Sequence, residues 1–196
     1  MRKLIVSEFI TLDGVIQAPG GADEDRDNGF QHGAWTLPYW HDDIGADFGA
    51  MMKDADALLL GRRTYVGHAE AFEPMPVGDP FGDMMNAPAK YVVSKTLTQE
   101  TAIWRNTTII RDNVLEAVRA LKATAGKNIL TDGSSQLVQE LLAHQLVDEL
   151  HLLMYPLAVG GGKRLFPANV LSKFKLGGVK TFPSGVVKLR YTLSAE

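Results

Sequence analysis

Short apolar segments alternate with amphipathic segments along most of this chain, and this alternation limits the folds that it can adopt. The apolar segments are rich in aliphatic and β-branched residues and are bounded by turn residues, which is typical of β-strands. We predict strands at residues 4–10, 56–61, 90–94, 107–110, 128–133 and 147–156. Apolar stripes and end signals predict helices at residues 42–53, 64–72, 112–126 and 134–146, with Thr64 and Asp112 as N-caps. Strands that alternate with helices favour a mainly parallel sheet covered by helices on both faces.

The end of the chain departs from this alternation. Residues 174–182 and 186–194 place apolar and polar side chains in turn on either side of a Pro-Ser-Gly turn, which predicts an antiparallel hairpin. Residues 17–34 and 74–88 lack such patterns and predict long loops, which in compact domains are often functional. No linker composition interrupts residues 1–196, so we expect one three-layer α/β domain.

Net charge, the absence of Cys and the length of the apolar runs exclude several kinds of site and partner. The formal net charge of −3 gives no general attraction to nucleic acids or anionic membranes, and the absence of Cys excludes thiolate metal sites and Cys nucleophiles. No apolar run approaches the roughly 20 residues that span a bilayer, and the first run reaches Glu8 too early for a signal peptide. His41 and His151 lack metal-ligand spacing. We expect a cytoplasmic protein without a metal, a nucleic-acid partner or a membrane partner.

Three predicted strands are followed by polar and glycine residues. The segments are Gly61-Arg62-Arg63-Thr64, Ser94-Lys95-Thr96 and Asp132-Gly133-Ser134-Ser135. The carboxyl ends of parallel strands meet at one edge of a sheet, where ligands bind. A helix start after Gly133 offers backbone N–H groups to a phosphate, and Arg and Lys side chains add positive charge. Each segment alone also fits an ordinary strand end, and the usual nucleotide fingerprints are absent, so the pattern predicts a phosphate-rich ligand without naming it.

The order of these motifs resembles the dihydrofolate reductase superfamily. The matching segments are Leu12-Asp13-Gly14, GRRTY at 61–65, VVSKTL at 92–97, DGSSQLVQELL at 132–142 and LVDELHLLMYPLAVGGGKRLF at 146–166. The similarity covers residues 3–192 and is greatest to the reductase domain of bacterial riboflavin biosynthesis. It implies a dihydrofolate reductase-like fold and an NADPH-dependent reductase.

The resemblance also assigns roles to individual residues. The residues expected to hold the adenosine phosphates of NADPH, including the 2′-phosphate, are Gly61, Arg62, Arg63, Thr64, Ser94, Lys95 and Thr96. Those expected around the pyrophosphate are Asp132, Gly133, Ser134, Ser135, Gln136 and Leu137. Arg111 is expected near the adenine, and Gly14 and Ile16 in the loop that closes over the nicotinamide.

Hydride transfer to a C=N bond leaves a nitrogen that needs a proton, so an acid or an ordered water is expected beside the substrate. In dihydrofolate reductases proper, the acid lies two positions after a Leu-Pro pair, where this chain has Trp40, and this departure argues against folate reduction. Asp42 and Asp43 either replace that acid or serve as N-terminal charges of a helix. Glu8, within an apolar strand, faces either a pocket or solvent.

Substrate residues are expected among the aromatic side chains. The candidates are Trp35, Leu37, Trp40 and Tyr155, which either line a site for a flat heterocycle or pack in the core. The expected reaction is the reduction of a pterin- or pyrimidine-like heterocycle. It would be similar to the reduction of a ribosylaminouracil phosphate by the riboflavin-pathway reductases. The zinc deaminase domain that often accompanies such reductases needs Cys ligands and is not expected in this chain.

Two other functions stay open at this point. One is a non-catalytic module that binds NADPH or another nucleotide, and the other is a dihydrofolate reductase with a displaced acid. The resemblance also implies a homodimer, in which the edge of the C-terminal hairpin pairs with its twin.

Overall fold

The inner strands of the sheet bury aliphatic residues on both faces, as continuous apolar runs require, whereas the two C-terminal strands are more exposed. The computed structural model describes residues 1–168 and 170–193. The strands are β1 (Leu4–Thr11), β2 (Ala55–Gly61), β3 (Ala89–Val93), β4 (Thr107–Ile110), β5 (Asn128–Thr131), β6 (Glu149–Tyr155), β7 (Phe174–Thr181) and β8 (Val187–Leu193). They form an eight-stranded sheet in the order β4-β3-β2-β5-β1-β6-β8-β7. Pairing is parallel from β4 to β6 and antiparallel where β8 joins β6 and β7. The predicted parallel sheet and C-terminal hairpin are confirmed.

Helices cover both faces of this sheet. They are α1 (Asp42–Lys53), α2 (Arg62–Phe72), α3 (Pro80–Asn86), α4 (Val114–Ala123) and α5 (Ser135–Ala143). One core joins α4 and α5 to the sheet around Val6, and a second joins α1, α2 and α3 to the opposite face around Leu60. A third core, around Trp35 and Tyr155, lies where residues of the 17–34 loop meet α1, β6 and the hairpin turn. The predicted three-layer arrangement is therefore confirmed.

Several predicted boundaries were wrong. The helix expected from Thr64 begins at Arg62, because extended Gly61 takes the N-cap position. Helix α4 follows Asn113 in a left-handed conformation rather than an Asp112 cap. Helix α5 ends at Ala143, before the predicted end at residue 146.

The predicted loop 74–88 contains α3. This helix has its own start signal, because Pro80 occupies the first turn and the Asp79 carboxylate accepts hydrogen bonds from the N–H groups of Phe81 and Gly82. The predicted β8 extended to Ser194, which lies outside the described residues.

No described helix has the length and apolar character needed to cross a membrane. Strand β7 forms one edge of the sheet, with Leu176 and Val179 exposed. The homodimer expected at this edge stays a prediction, which sedimentation analysis would test.

Candidate functional site

Three strands end side by side at one edge of the sheet. In the parallel register Gly61 at the end of β2 pairs with Val93, and Val93 pairs with Ile110 at the end of β4. The residues that follow are Arg62, Ser94 and Arg111. The structure therefore brings together the first two predicted segments and Arg111, because parallel strands in register end at the same edge.

The third segment joins the same edge through side-chain hydrogen bonds. The Gly61 N–H donates to Ser134 Oγ at 2.9 Å, and the Ser134 N–H donates to Thr64 Oγ1 at 3.0 Å. These two bonds connect the start of α2 to the start of α5. Two helix N-termini, each with a partial positive charge, consequently lie next to each other.

The turn before α5 depends on a glycine. Gly133 has a φ of +53°, and a Cβ at this position would lie 2.9 Å from Thr64 Oγ1. Thr64 approaches the backbone closely enough to accept the Ser134 N–H only because Gly133 lacks a side chain.

Neither helix start is neutralised by its own side chains. Helices α2 and α5 have no side-chain cap and no acidic residue in the first turn. Within the described residues, the exposed side chains of Arg62 and Lys95 make no hydrogen bond or ion pair. Ser94 Oγ accepts the N–H groups of Thr96 and Leu97 at 3.2 and 2.9 Å, which shapes the turn that presents Lys95. The edge combines free donors with positive charge and is suited to an anion.

Arg63 has a partner that the sequence analysis missed. Its guanidinium forms an ion pair with Asp27, in the loop of residues 17–34. Asp27 also contacts Lys163, at 2.8 Å. These cations lower the pKa of the Asp27 carboxyl to about 2. In this structure Arg63 is therefore held by a carboxylate of the chain itself, whereas Arg62 is not.

Glu8 is buried at the same edge, with 3% of its surface exposed. One carboxyl oxygen accepts the Gly133 N–H at 3.1 Å, while the other is buried and has no hydrogen-bond partner among the described residues. Burial raises the pKa of Glu8 well above its ordinary range, the nearby Asp132 carboxylate raises it further, and the Gly133 N–H opposes both effects. A neutral carboxyl group is thus favoured beside the turn before α5.

Asp132 contacts a histidine that was not among the predicted site residues. The His68 Nε2 atom lies 3.0 Å from Asp132 Oδ2, which connects α2 to the end of β5. Partial burial alone would lower the pKa of His68, but Asp132 outweighs this effect and raises the pKa above its ordinary value. A histidine one turn after the Gly-Arg-Arg-Thr segment was the available sequence signal, because residues four apart share a helix face.

The other two acid candidates are differently placed. Asp42 and Asp43 are exposed in the first turn of α1, and the Asp43 N–H donates to His41 Nδ1 at 3.2 Å. Within the described residues, neither carboxylate contacts the strand-end segments. Their positions match the interpretation as N-terminal charges of a helix.

The substrate candidates divide into buried and exposed residues. Trp35 and Tyr155 are buried with their rings 5.3 Å apart in an edge-to-face arrangement, and Trp35 Nε1 donates to the Gln17 carbonyl. Burial raises the pKa of Tyr155 to about 12, and its hydroxyl has no hydrogen-bond partner in the part of the chain that the structure describes. The two buried rings pack in the third core, whereas Leu37 and Trp40 face solvent.

A small cavity of about 10 Å³, the space of about one water molecule, lies between α1, α3 and the sheet. Its polar lining comes from Ser7, Thr131 and Asp132, while Phe48 and Met51 of α1 contribute apolar surface. Asp132 thus reaches both this cavity and the α2–α5 edge. The sequence predicted α1 as an amphipathic helix but did not predict that its residues line a cavity.

Gly14 and Ile16 belong to a segment that is fastened to the 159–164 turn. The Ile16 N–H donates to the Lys163 carbonyl at 2.9 Å, and Gly14 has a φ of +83°. The Asp13 carboxylate accepts the Gly160 N–H at 2.8 Å, which supports a turn-stabilising role for Asp13. Ile16 is buried in the same core as Leu137 of α5.

The sheet order and the helices on both faces are those of the dihydrofolate reductase-like class of α/β domains. A family model described as the RibD C-terminal domain matches residues 2–188. The chain belongs to this family.

Similar proteins agree with that membership. The uncharacterized protein YyaP of Bacillus subtilis (strain 168) is 29% identical over 194 residues, covering 97% of this chain and 94% of YyaP. A putative riboflavin biosynthesis protein from Shewanella sp. PV-4 has a similar structure, with a TM-score of 0.69, 20% identity and coverage of 98% and 99% of the two chains. A deaminase/5-amino-6-(5-phosphoribosylamino)uracil reductase from Thermotoga maritima has a TM-score of 0.66 and 16% identity, covering 98% of this chain and 57% of its own. At these identities the structural matches show the fold.

Proposed function

We propose that this protein is an NADPH-dependent reductase that transfers hydride to a pterin- or pyrimidine-like heterocycle. Membership in the RibD C-terminal domain family supports a reductase of the riboflavin-pathway type. The observation that carries the proposal is the pair of uncapped helix starts, α2 and α5, joined by the bonds of Ser134 to Gly61 and Thr64. Such a pair suits the phosphates of a dinucleotide.

The donors at this edge fit the parts of NADPH. The first-turn N–H groups of α5, from Ser135 to Leu137, would receive the pyrophosphate. Arg62 and Lys95 would hold the 2′-phosphate, because both side chains are exposed and neither has a partner among the described residues. Arg111, whose guanidinium donates to the Lys95 carbonyl at 3.4 Å, would lie near the adenine. When bound, NADPH supplies the hydride.

Glu8 is the acid that fits the reaction best. Its carboxyl is buried, burial raises its pKa well above the ordinary range, and one oxygen has no hydrogen-bond partner among the described residues, so it is the candidate best suited to carry a proton. Loss of that proton to the nitrogen of a reduced C=N bond would leave a carboxylate stabilised by the Gly133 N–H. Asp42 and Asp43 lack burial of this kind.

The substrate class is supported by two structural relatives. One is described as a pyrimidine reductase-like protein from Corynebacterium diphtheriae, and the Thermotoga maritima protein is described as a uracil-derivative reductase. We propose that the substrate lies at the carboxyl edge of the sheet beside Glu8, on the α5 face, whereas the small cavity lined by Ser7, Phe48 and Met51 lies on the opposite face.

Titration with NADPH and, separately, NADH tests the cofactor assignment. We expect NADPH to bind about 10-fold or more tightly than NADH, and Arg62→Gln to weaken NADPH binding by about 10- to 100-fold with little effect on NADH, because one charge-assisted contact contributes about 1.5–3 kcal/mol. Nicotinamide fluorescence provides the measurement. Arg119→Gln is a matched control, since Arg119 is an exposed arginine of α4. Equal binding of both nucleotides, or binding of neither, would contradict the proposal.

A non-catalytic NADPH-binding module is the second candidate function. It is favoured by Trp40, which is exposed just before α1 and stands where dihydrofolate reductases proper have their acid. The two functions differ in turnover. Oxidation of NADPH with 5-amino-6-ribosylaminouracil phosphate, abolished by Glu8→Gln while NADPH still binds, would favour the reductase, and tight binding without oxidation of any such heterocycle would favour the module.

A further inference from the structure

Two neighbouring carboxylates fasten the loop of residues 17–34 to the rest of the protein. The Asp27 carboxylate pairs with Arg63 of α2 and lies 2.8 Å from Lys163 Nζ. Asp25 pairs with the same Lys163 ammonium. Because cations lower its pKa to about 2, Asp27 is ionised at every pH at which the protein is expected to work. The loop thus places an ionised carboxylate beside the Arg63 guanidinium.

The two ends of this network differ in exposure. The side chains of Lys163 and Asp25 are 28% and 24% exposed, and the Gln17 side chain bonds to the backbone of both the loop and Lys163. The Arg63 side chain is 65% exposed. Exposed ion pairs contribute little to stability, because water and salt screen them. The Lys163 end therefore keeps the loop attached, while the Arg63 end restrains the residues around Asp27 weakly and can exchange Asp27 for another anion.

Arg63 lies where an anion is expected. It is the second residue of α2, whose start is uncapped and bonded to the start of α5. A guanidinium binds carboxylate and phosphate through the same fork of N–H donors. Asp27 and a bound phosphate would accordingly compete for Arg63.

We propose that Asp27 is an internal competitor for Arg63, occupying the guanidinium until an anionic group of a ligand replaces it, and so determines how strongly the site selects for that group. The assignment of the group to the 2′-phosphate of NADPH rests on the proposed function. The exchange itself does not, because it needs only an anion at the start of α2.

Binding measurements on Asp27→Asn test the competition. We expect this variant to bind NADPH about threefold to tenfold more tightly than the wild type, and NADH to within about twofold, because only NADPH carries the extra phosphate. Asp23→Asn is the matched control, because it removes the same charge from the same loop. Asp23 pairs with Arg26 and not with Arg63. In an Arg63→Gln background, Asp27→Asn should change NADPH binding by less than about twofold. Unchanged or weaker NADPH binding by Asp27→Asn would overturn the proposal.

Hydrogen–deuterium exchange tests the same idea without a nucleotide. The Phe30 N–H donates to the Asp27 carbonyl and the Asp27 N–H to Asp25, so the exchange rates of these amides report on the loop. Arg63→Gln should speed their exchange several-fold, whereas Arg62→Gln should leave it at the wild-type rate.

Inorganic pyrophosphate is the anionic probe for the wild type. Compared with sodium chloride of equal ionic strength, it should speed exchange of the loop amides, and it should have no further effect in Arg63→Gln. If neither nucleotide binds but pyrophosphate speeds exchange of the loop amides, the cofactor assignment fails and the competition stands. If pyrophosphate leaves the loop amides unchanged, the competition is overturned.

Discussion

Two pairs of helices in this protein, α1 with α3 and α2 with α5, begin in different ways. At α1 the His41 side chain accepts the Asp43 N–H, and at α3 the Asp79 carboxylate accepts two N–H groups. Both helices also carry acidic residues in the first turn. Helices α2 and α5 have neither feature, and their starts are bonded to each other at the carboxyl edge of the sheet.

The difference teaches where a ligand is expected. Every helix start leaves backbone N–H groups that need acceptors, and α1 and α3 meet part of this need within a few residues of chain. At α2 and α5 the hydroxyls of Thr64, in the first turn of α2, and Ser134, the N-cap of α5, join the two helices instead. The remaining donors and the dipoles of two helices are left for an acceptor from outside the chain.

The strongest test of this difference gives α5 the acid that it lacks. Ser135→Asp should weaken NADPH binding by about 100-fold, because the carboxylate occupies the position proposed for the phosphate. It should also keep or raise the free energy of unfolding, by up to about 0.5 kcal/mol, since an acid in the first turn stabilises a helix. Fluorescence titration and urea unfolding give the two values. Ser135→Asn is the control, because Asn has the shape of Asp without its charge. Unimpaired NADPH binding by Ser135→Asp would show that α5 does not face the cofactor.

A second test concerns Glu8 of β1, whose carboxyl group lies beside the start of α5. Glu8 accepts the Gly133 N–H, but its folded pKa is raised from an ordinary value of 4.5, so its neutral form is favoured and it adds no full charge to the helix start. A raised carboxyl pKa means that the folded state binds more protons than the unfolded state, so the contribution of Glu8 to stability is greatest below pH 4.5 and falls as the pH rises toward the folded pKa.

Glu8→Gln should therefore become more stable relative to the wild type as the pH rises above 4.5. Urea unfolding of both proteins over a range of pH measures this difference. Taking the difference reduces the contribution of His68, whose raised pKa changes stability in the same direction. Parallel stability curves for the two proteins would indicate that Glu8 is already ionised in the folded state.

The comparison of helix starts also explains how much the sequence could predict. The strands and their mainly parallel arrangement could be predicted from aliphatic runs such as Leu58 to Leu60, because strands that are buried on both faces are typical of parallel sheets. The strand-end segments could be predicted to meet because parallel strands share an edge. The start of α2 could not be placed correctly, since Thr64 has the residue type of an N-cap but uses its hydroxyl for Ser134, which is distant in sequence.

Contacts between distant segments account for the other missing parts of the site. The Asp27 pair with Arg63 and the Asp132 pair with His68 join residues 36 and 64 positions apart, and no local pattern specifies either pair. The aromatic residues show the same limit. Trp35 and Trp40 look alike in sequence, yet one is buried against Tyr155 and the other is exposed, because only the packing of the loop on β6 separates them.

The smallest expected effect lies at α1 and tests the other side of the comparison. Asp42→Asn should lower the free energy of unfolding by about 0.5 kcal/mol, because it removes one first-turn acid from a helix that depends on local charges. It should leave NADPH binding unchanged. Asp54→Asn, which removes the same charge beyond the last turn of α1, should raise the free energy of unfolding by a similar amount, since a carboxylate is unfavourable at a helix C-terminus. Urea unfolding measures both variants. A loss of NADPH binding in Asp42→Asn would place this acid in the site and remove the distinction between α1 and the pair α2 and α5.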